Sequence, residues 1–124
     1  MIIGRVNENY EAVIPIALPD LPTRELHHFS AVIDTGFQGY LMLPRAVVQQ
    51  LGLMVIDTRD LVIGNEETYR FDLCAAVILW EDEPIPIPIL VSETQTLVGA
   101  RLLAGYYLTA AMIPGGRVTL TQLP

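Results

Sequence analysis

The stretch that decides how this chain folds is Ala31-Val32-Ile33-Asp34-Thr35-Gly36-Phe37-Gln38-Gly39-Tyr40-Leu41. Three apolar residues of high strand propensity lead directly into Asp-Thr-Gly, so Asp34 is predicted at the end of a buried strand, where the backbone turns. Gly36 and Gly39 permit the backbone angles of a tight loop. A carboxylate that is fixed by a strand and faces a loop lies where scaffolds present catalytic groups.

The same residues also fit an ordinary turn, in which an aspartate bonds its own backbone and a glycine takes a positive φ. A match of three residues does not separate a catalytic loop from such a turn. The pattern of the rest of the chain therefore has to decide between the two interpretations.

Composition predicts one oligomeric domain that spans residues 1–124. Of the 124 residues, 52% are hydrophobic and only 17% are charged. Because this is more apolar surface than a monomer of this size readily buries, an obligate oligomer is favoured. The net charge of −7 argues against nucleic acid and anionic membranes as partners.

The cysteine, histidine and hydropathy patterns favour a soluble, cytoplasmic protein without a metal or another cofactor. The single cysteine, Cys74, lies in an apolar run and is interpreted as a core residue in a reducing compartment. The adjacent His27 and His28 point to opposite faces of a strand, so they do not readily share a metal ion. The sequence has no run of about 18 apolar residues and no signal-peptide pattern.

Short apolar runs separated by turn residues predict an all-β fold with two short helices. Residues 57–60 are expected to form a polar link, and a hairpin with a polar tip is expected over Leu61–Phe71. The alternation of proline and isoleucine over Pro84–Val91 predicts an edge strand, because proline cannot donate to a neighbouring strand. The first helix is expected at Arg45–Leu51, directly after Pro44 and ended by Gly52, and the second at Ala100–Ala104.

Four features follow one another along the chain: Asp-Thr-Gly after an apolar strand, the hairpin at Leu61–Phe71, Leu97-Val98-Gly99, and the helix at Ala100–Ala104. In this order they resemble the retropepsin-like aspartic proteases of clan AA, single-lobe enzymes that act as homodimers. Residues 34–41 are similar to the Asp-Thr-Gly-Phe-x-Gly-x-Leu motif of small bacterial members. The resemblance implies a closed, orthogonal β-barrel of the acid-protease type with one or two short helices.

The resemblance implies a role for each residue of the motif. Asp34 would be the catalytic aspartate, one from each subunit, meeting its counterpart across a two-fold axis. Thr35 would hydrogen-bond across this axis, and Gly36 would lie beside the substrate backbone. The terminal strands, Met1–Arg5 and Arg117–Leu123, would interleave at the dimer interface.

The resemblance also implies a cleft for a peptide or protein substrate, covered by the hairpin as a flap with its tip near Gly64 and Asn65. Glu66 and Glu67 make this tip acidic, which would repel acidic peptides. The apolar residues expected to line the cleft are Ile33, Phe37, Val62, Ile63 and Val98. Such a lining favours hydrophobic side chains on either side of the cut bond.

The chemistry of such a pair of aspartates requires no metal and no nucleophilic side chain. Two carboxylates about 3 Å apart share one proton, because both cannot ionise at low cost. The ionised member takes a proton from a water molecule while the protonated member polarises the scissile carbonyl. One aspartate cannot act in both ways at once, so dimerisation is expected to be a catalytic requirement.

Departures from the family pattern leave a second function open. Phe37 replaces a small residue, Gly99-Ala100-Arg101 displaces an arginine by one position, and Gln38 stands where an acid would pair with that arginine. The leading prediction is a homodimeric aspartic endopeptidase. The alternative is a catalytically inactive dimer of the same fold that serves as a peptide-binding or structural module.

Overall fold

The computed structural model describes residues 1–63 and 65–124, and the side chain of Ile63 also lies outside the described part. The described chain runs through β1 (Ile2–Val6), β2 (Ala12–Pro19), β3 (Leu26–Ile33), β4 (Leu41–Pro44), α1 (Arg45–Gln50), β5 (Val55–Ile63), β6 (Glu67–Trp80), β7 (Glu83–Ser92), β8 (Leu97–Val98), α2 (Ala100–Leu103), β9 (Tyr106–Ala110) and β10 (Arg117–Gln122). The predicted all-β fold with two short helices is confirmed.

Six strands of the sheet close into a ring. The hydrogen-bonded order is β5-β6-β7-β4-β8-β3-β2-β1-β10-β9, and β6 pairs a second time with β2, at Ala17 and Leu79. This second pairing joins β2 back to β6 and so closes a small barrel. Fully buried aliphatic side chains fill the core, among them Ile14, Leu18, Leu41, Leu43, Ile78, Ile89 and Val98.

The long strand β6 connects this barrel to a hairpin whose side chains are mostly exposed. Its second half buries alternate residues from Cys74 to Trp80, as expected of a strand with one face on a core. Its first half pairs with β5, from Glu67 opposite Ile63 to Cys74 opposite Val55. The hairpin is longer than predicted, because residues 57–60, expected as a polar link, belong to β5.

The proline-rich strand β7 is an edge strand over only half of its length. Residues 84–88 pair with β6 alone, whereas Ile89–Ser92 pair with β4, and Ile89 and Leu90 pair with both strands. Because Pro84, Pro86 and Pro88 alternate, they remove the N–H donors from one side of the strand. A second strand can therefore join that side only after Pro88, and the predicted edge strand is wrong for the residues beyond it.

The terminal strands extend the sheet beyond the barrel and pair within one chain. β1 lies between β2 and β10, with Ile2 opposite Leu120 and Arg5 opposite Arg117. Gly4 is required at this crossing, since a Cβ there would lie 1.9 Å from the carbonyl oxygen of Val13. Within the single chain the two ends pair with each other and β9 forms the outer edge, and the interleaving expected between subunits stays a prediction.

Asp20 holds the turn from β2 to β3. Within the described residues, 1–63 and 65–124, it is the one charged residue that is buried. His27 Nε2 lies 2.8 Å from Asp20 Oδ2, and the Thr23 N–H donates to Oδ1 at 2.6 Å. The Thr23 hydroxyl lies 2.7 Å from the same oxygen. The His27 ring, followed by the Thr23 bonds, lowers the pKa of Asp20 from 3.8 to about 2.

This lowered pKa predicts that Asp20 stabilises the protein in a defined pH range. Because the pKa of Asp20 is lower in the folded state, its contribution is fully present above about pH 3.8 and is lost as the pH falls toward 2. We expect melting temperatures of the native chain and of Asp20→Asn to differ most at pH 5 and to converge near pH 2. A difference that stays constant over this range would contradict the prediction.

Candidate active site

Asp34 directly follows β3, at the start of the loop that leads to β4. Its backbone N–H donates to the carbonyl oxygen of Val98 at 2.9 Å, and the N–H of Phe37 donates to its carbonyl oxygen at 3.1 Å. Carboxylate oxygen Oδ1 accepts a hydrogen bond from the N–H of Gly36 at 2.9 Å. The backbone of Asp34 is therefore fixed by β8, while its half-buried side chain remains accessible.

The bond from Gly36 is one that an ordinary aspartate turn would also make. The surroundings of the carboxylate are different, because Asp34 lies in the wall of a cleft of about 710 Å³, a volume typical of ligand sites. The cleft is lined by Asp34, Gly36, Phe37, Gln38, Gly39, Tyr40, Met42, Arg59, Leu61, Val62, Leu73, Pro88, Leu90, Gln95, Leu97 and Arg101.

Strand β8 lies beside the Asp34 loop and contributes to the cleft. It pairs in parallel with β3 and antiparallel with β4, so it lies between the strands that enter and leave the loop. Val98, expected in the cleft, is fully buried, and its neighbour Leu97 faces the cleft instead. Successive side chains of a strand point to opposite faces, and the core takes the side on which Val98 lies. Ile33 likewise does not line the cleft, although it packs partly against the core.

The ring of Phe37 fills the inside of the loop. A Cβ on Gly39 would lie 2.5 Å from Phe37 Cζ, and one on Gly99 would lie 2.7 Å from Phe37 Cδ2. The two glycines therefore make room for the ring, which packs between the Asp34 loop and the end of β8. Phe37 lines the cleft as expected, and its bulk is also part of the support of the loop.

Helix α2 begins on the carbonyl groups of the same loop. The N–H of Ala100 donates to Phe37 O at 2.7 Å, and the N–H of Arg101 donates to Gly39 O at 3.1 Å. The N–H of Gly99 donates to Tyr40 O at 3.0 Å. These bonds place the exposed Arg101 side chain in the cleft wall, on the same side of the molecule as Asp34.

The β5–β6 hairpin supplies another wall of the cleft. Arg59, Leu61 and Val62 of β5 and Leu73 of β6 line it. Asn65 is exposed and does not line the cleft, while the expectations for Gly64 and for the Ile63 side chain fall outside the described residues. A predicted flap hairpin and the predicted catalytic aspartate thus border one cleft.

The loop residue between Asp34 and the first glycine is exposed to solvent. Thr35 and Gly36 are both exposed in the single chain, so the predicted bond of Thr35 across a two-fold axis stays a prediction. Arg45, the first basic residue after Asp34 in sequence, is engaged elsewhere. Its guanidinium lies 3.0 Å from Asp72 and 3.7 Å from Glu93.

Sequence reasoning missed the two arginines of the cleft. The sequence pattern places Arg59 in a polar link, and it gives Arg101 no role beyond its displacement from the family position. The available signal for Arg59 was its spacing of two from Leu61, since alternate residues of a strand share a face. The cleft residues of β7, Pro88 and Leu90, could not be assigned because β7 reaches the site through long-range pairing with β6 and β4.

The described parts of the chain, residues 1–63 and 65–124, contain no group of three or more His, Cys, Asp or Glu side chains arranged to hold a metal ion. In the same residues, no helix has both the length and the apolar character needed to cross a membrane.

Comparison with known proteins identifies the fold. No family model matches the sequence, and no curated protein matches it. A crystal structure of a retropepsin-like aspartic protease from Rickettsia conorii is similar in three dimensions, with a TM-score of 0.57 and 14% sequence identity. The match covers 98% of this chain and 91% of the Rickettsia chain. The predicted β-barrel of the retropepsin type is therefore confirmed as a fold.

Proposed function

We propose that this chain is a homodimeric aspartic endopeptidase in which each subunit contributes Asp34 to a catalytic pair. The observation that carries the proposal is the position of the Asp34 carboxylate, at the end of β3 and in the wall of a cleft of about 710 Å³. The Gly36 N–H holds one carboxylate oxygen, so the group is oriented before a substrate binds. The retropepsin-like fold supports the same assignment.

A second copy of the chain is needed to complete the proposed chemistry. Among the described residues, 1–63 and 65–124, Asp34 is the one acidic residue that lines the cleft. Activation of water needs a carboxylate base and a carboxylic acid together, which one side chain cannot supply. The exposed Thr35 and Gly36 leave the loop free to meet the same loop of another subunit.

Exposed apolar side chains favour association of two copies. Tyr107 on β9 and Met112 and Ile113 in the turn before β10 are between 52% and 64% exposed. Solvent-facing apolar groups of this kind are typical of surfaces that a partner covers. We expect the mass in solution to be twice the 13.7 kDa of one chain, as measured by light scattering. A monomer at the concentrations of the activity assay would contradict the dimeric site.

The proposed reaction is the direct attack of water on a peptide carbonyl. The ionised Asp34 takes a proton from the water as its oxygen bonds to the carbonyl carbon. The protonated Asp34 of the other subunit gives its proton to the carbonyl oxygen, which becomes a hydroxyl group of the tetrahedral intermediate. In the collapse of the intermediate, the first Asp34 gives the proton that it took from water to the amide nitrogen, and the second Asp34 takes the proton of one hydroxyl group. The C–N bond then breaks, a carbonyl group re-forms as part of the product acid, and the amine leaves with both carboxyl groups back in their starting state.

The test is cleavage of a mixed peptide library from acidic to neutral pH by a sample verified as folded. We expect products that vanish with Asp34→Asn and with a statine-type inhibitor, whose hydroxyl group replaces the attacking water. No cleavage by a folded dimer would overturn the proposal.

A second candidate function rests on the edge of the sheet. Strand β5 ends the sheet order, so one of its sides is unpaired within the described residues. An extended peptide can add to such an edge without being cut. Peptide binding that persists in Asp34→Asn, together with no cleavage by the native chain, would favour this peptide-binding module.

A further inference from the structure

The cleft carries a charge balance opposite to that of the whole chain. The sequence contains 14 acidic side chains and seven basic ones, which are all arginine. The lining of the cleft nevertheless contains two arginines, Arg59 and Arg101, and one acid, Asp34. A local excess of positive charge in a concave site attracts anionic groups more strongly than an exposed surface does.

These two guanidinium groups have no carboxylate partner within residues 1–63 and 65–124. Arg45 and Arg70, in contrast, are paired with Asp72 at 3.0 Å and with Asp60 at 3.1 Å. Arginines without such a partner also occur elsewhere on the surface, so their position is the decisive point. Arg59 and Arg101 face the same cleft as Asp34 and are available to a bound molecule.

The two arginines lie on different walls. Arg59 is on β5, opposite Phe71 in the hairpin, and Arg101 is on α2, which is anchored to the Asp34 loop by the bond to Gly39 O. A peptide that passes between the hairpin and the loop therefore meets a guanidinium from each side. A guanidinium binds a carboxylate through two parallel hydrogen bonds, which a neutral amide cannot reproduce.

The acidic side chains at the tip of the hairpin do not cancel this preference. Glu66 and Glu67, expected to repel acidic peptides, are exposed and do not line the cleft. Glu67 accepts a hydrogen bond from the Tyr69 hydroxyl at 2.6 Å, which raises the pKa of Tyr69. The apolar part of the lining, including Leu61 and Leu97, is left for neighbouring hydrophobic side chains.

We propose that Arg59 and Arg101 make this cleft select peptide segments with an aspartate or glutamate side chain close to the bond presented to Asp34. The inference rests on the proposed peptidase function and names its substrate class. It adds to the expected preference for hydrophobic side chains, since the cleft offers both apolar surface and unpaired positive charge.

The experiment compares peptides that are identical except for glutamate or glutamine at one position, moved along the sequence on both sides of the cut bond. At the best position we expect kcat/KM to be roughly tenfold higher for glutamate, as for a hydrogen bond to a charged group. Arg59→Gln and Arg101→Gln should each reduce this ratio, and the double variant should bring it to about one. Arg101→Glu should shift the preference toward lysine.

Arg24→Gln is the matched control, because Arg24 is an exposed arginine in the turn from β2 to β3 and does not line the cleft. This variant should keep the native ratio. Melting temperatures identify any variant that fails to fold, and the ratio of the native chain alone already tests the inference. A ratio near one at every position, with peptides still being cut, would overturn it and leave the peptidase standing.

Binding separates this inference from the proposed function. Fluorescent versions of the same peptides are titrated with the Asp34→Asn variant, which cannot complete the catalytic pair. Tighter binding of the glutamate peptide supports the selectivity even when the native chain cuts no peptide, an outcome that overturns only the peptidase. Equal affinity for the two peptides overturns the selectivity.

Discussion

Replacing Asp34 with asparagine is expected to lower kcat by about 10⁴-fold or more, because it removes both the base and the acid from a dimer. Asparagine keeps an oxygen that can accept the hydrogen bond from the Gly36 N–H. The loop is therefore expected to remain folded, and the melting temperature to stay close to that of the native chain. Initial rates on a peptide cut by the native chain measure the effect.

The matched control is Asp82→Asn, which removes a carboxylate from the exposed turn between β6 and β7, outside the cleft. Its rate should equal the native rate.

Mixing native chains with Asp34→Asn chains tests whether the two Asp34 side chains of a dimer act together. With equal amounts of native and Asp34→Asn chains, random exchange leaves about one quarter of the dimers with two native subunits. Activity that falls only to one half would mean that each chain works alone.

The Asp34 loop could be predicted from the sequence because its signals are local. An apolar strand, an Asx turn and two nearby glycines all lie within eleven residues, and each depends on the backbone beside it. Helix α1 was predicted in the same way, from Pro44 before it and from Gly52 after it. Gly52 indeed has a positive φ of 69°, the conformation that commonly ends a helix.

The composition of the cleft could not be predicted in full, because distant strands bring its residues together. Arg59 reaches the site only because β5 begins at Val55 and extends through the residues expected as a link. The choice between Leu97 and Val98 depended on which face of β8 the core would cover. Local sequence does not determine this choice when both side chains are apolar.

Gly99→Ala is expected to destabilise the chain by about 3 kcal/mol and to remove activity, because the new methyl group has no room. Its Cβ would lie 2.2 Å from Gly39 O, 2.8 Å from Phe37 O and 2.7 Å from Phe37 Cδ2. Two of these contacts are with backbone atoms, which cannot move aside as a flexible side chain does. The Phe37 and Gly39 carbonyls also accept the bonds that begin α2, so relief of the clash displaces the loop that holds Asp34.

Thermal unfolding measures this effect, and we expect the melting temperature to fall by roughly 10 °C. The control is Gly36→Ala in the same loop, where the new Cβ meets Asp34 Oδ1 at 3.2 Å and, apart from its chain neighbours, no other atom of the described residues within 4 Å. A side-chain oxygen can shift by a few tenths of an ångström, so this variant should melt near the native temperature. A Gly99→Ala variant that melts as the native chain does would mean that Phe37 does not pack rigidly between the loop and β8. In that case the position of Asp34 would depend on its bond to Val98 O rather than on the ring.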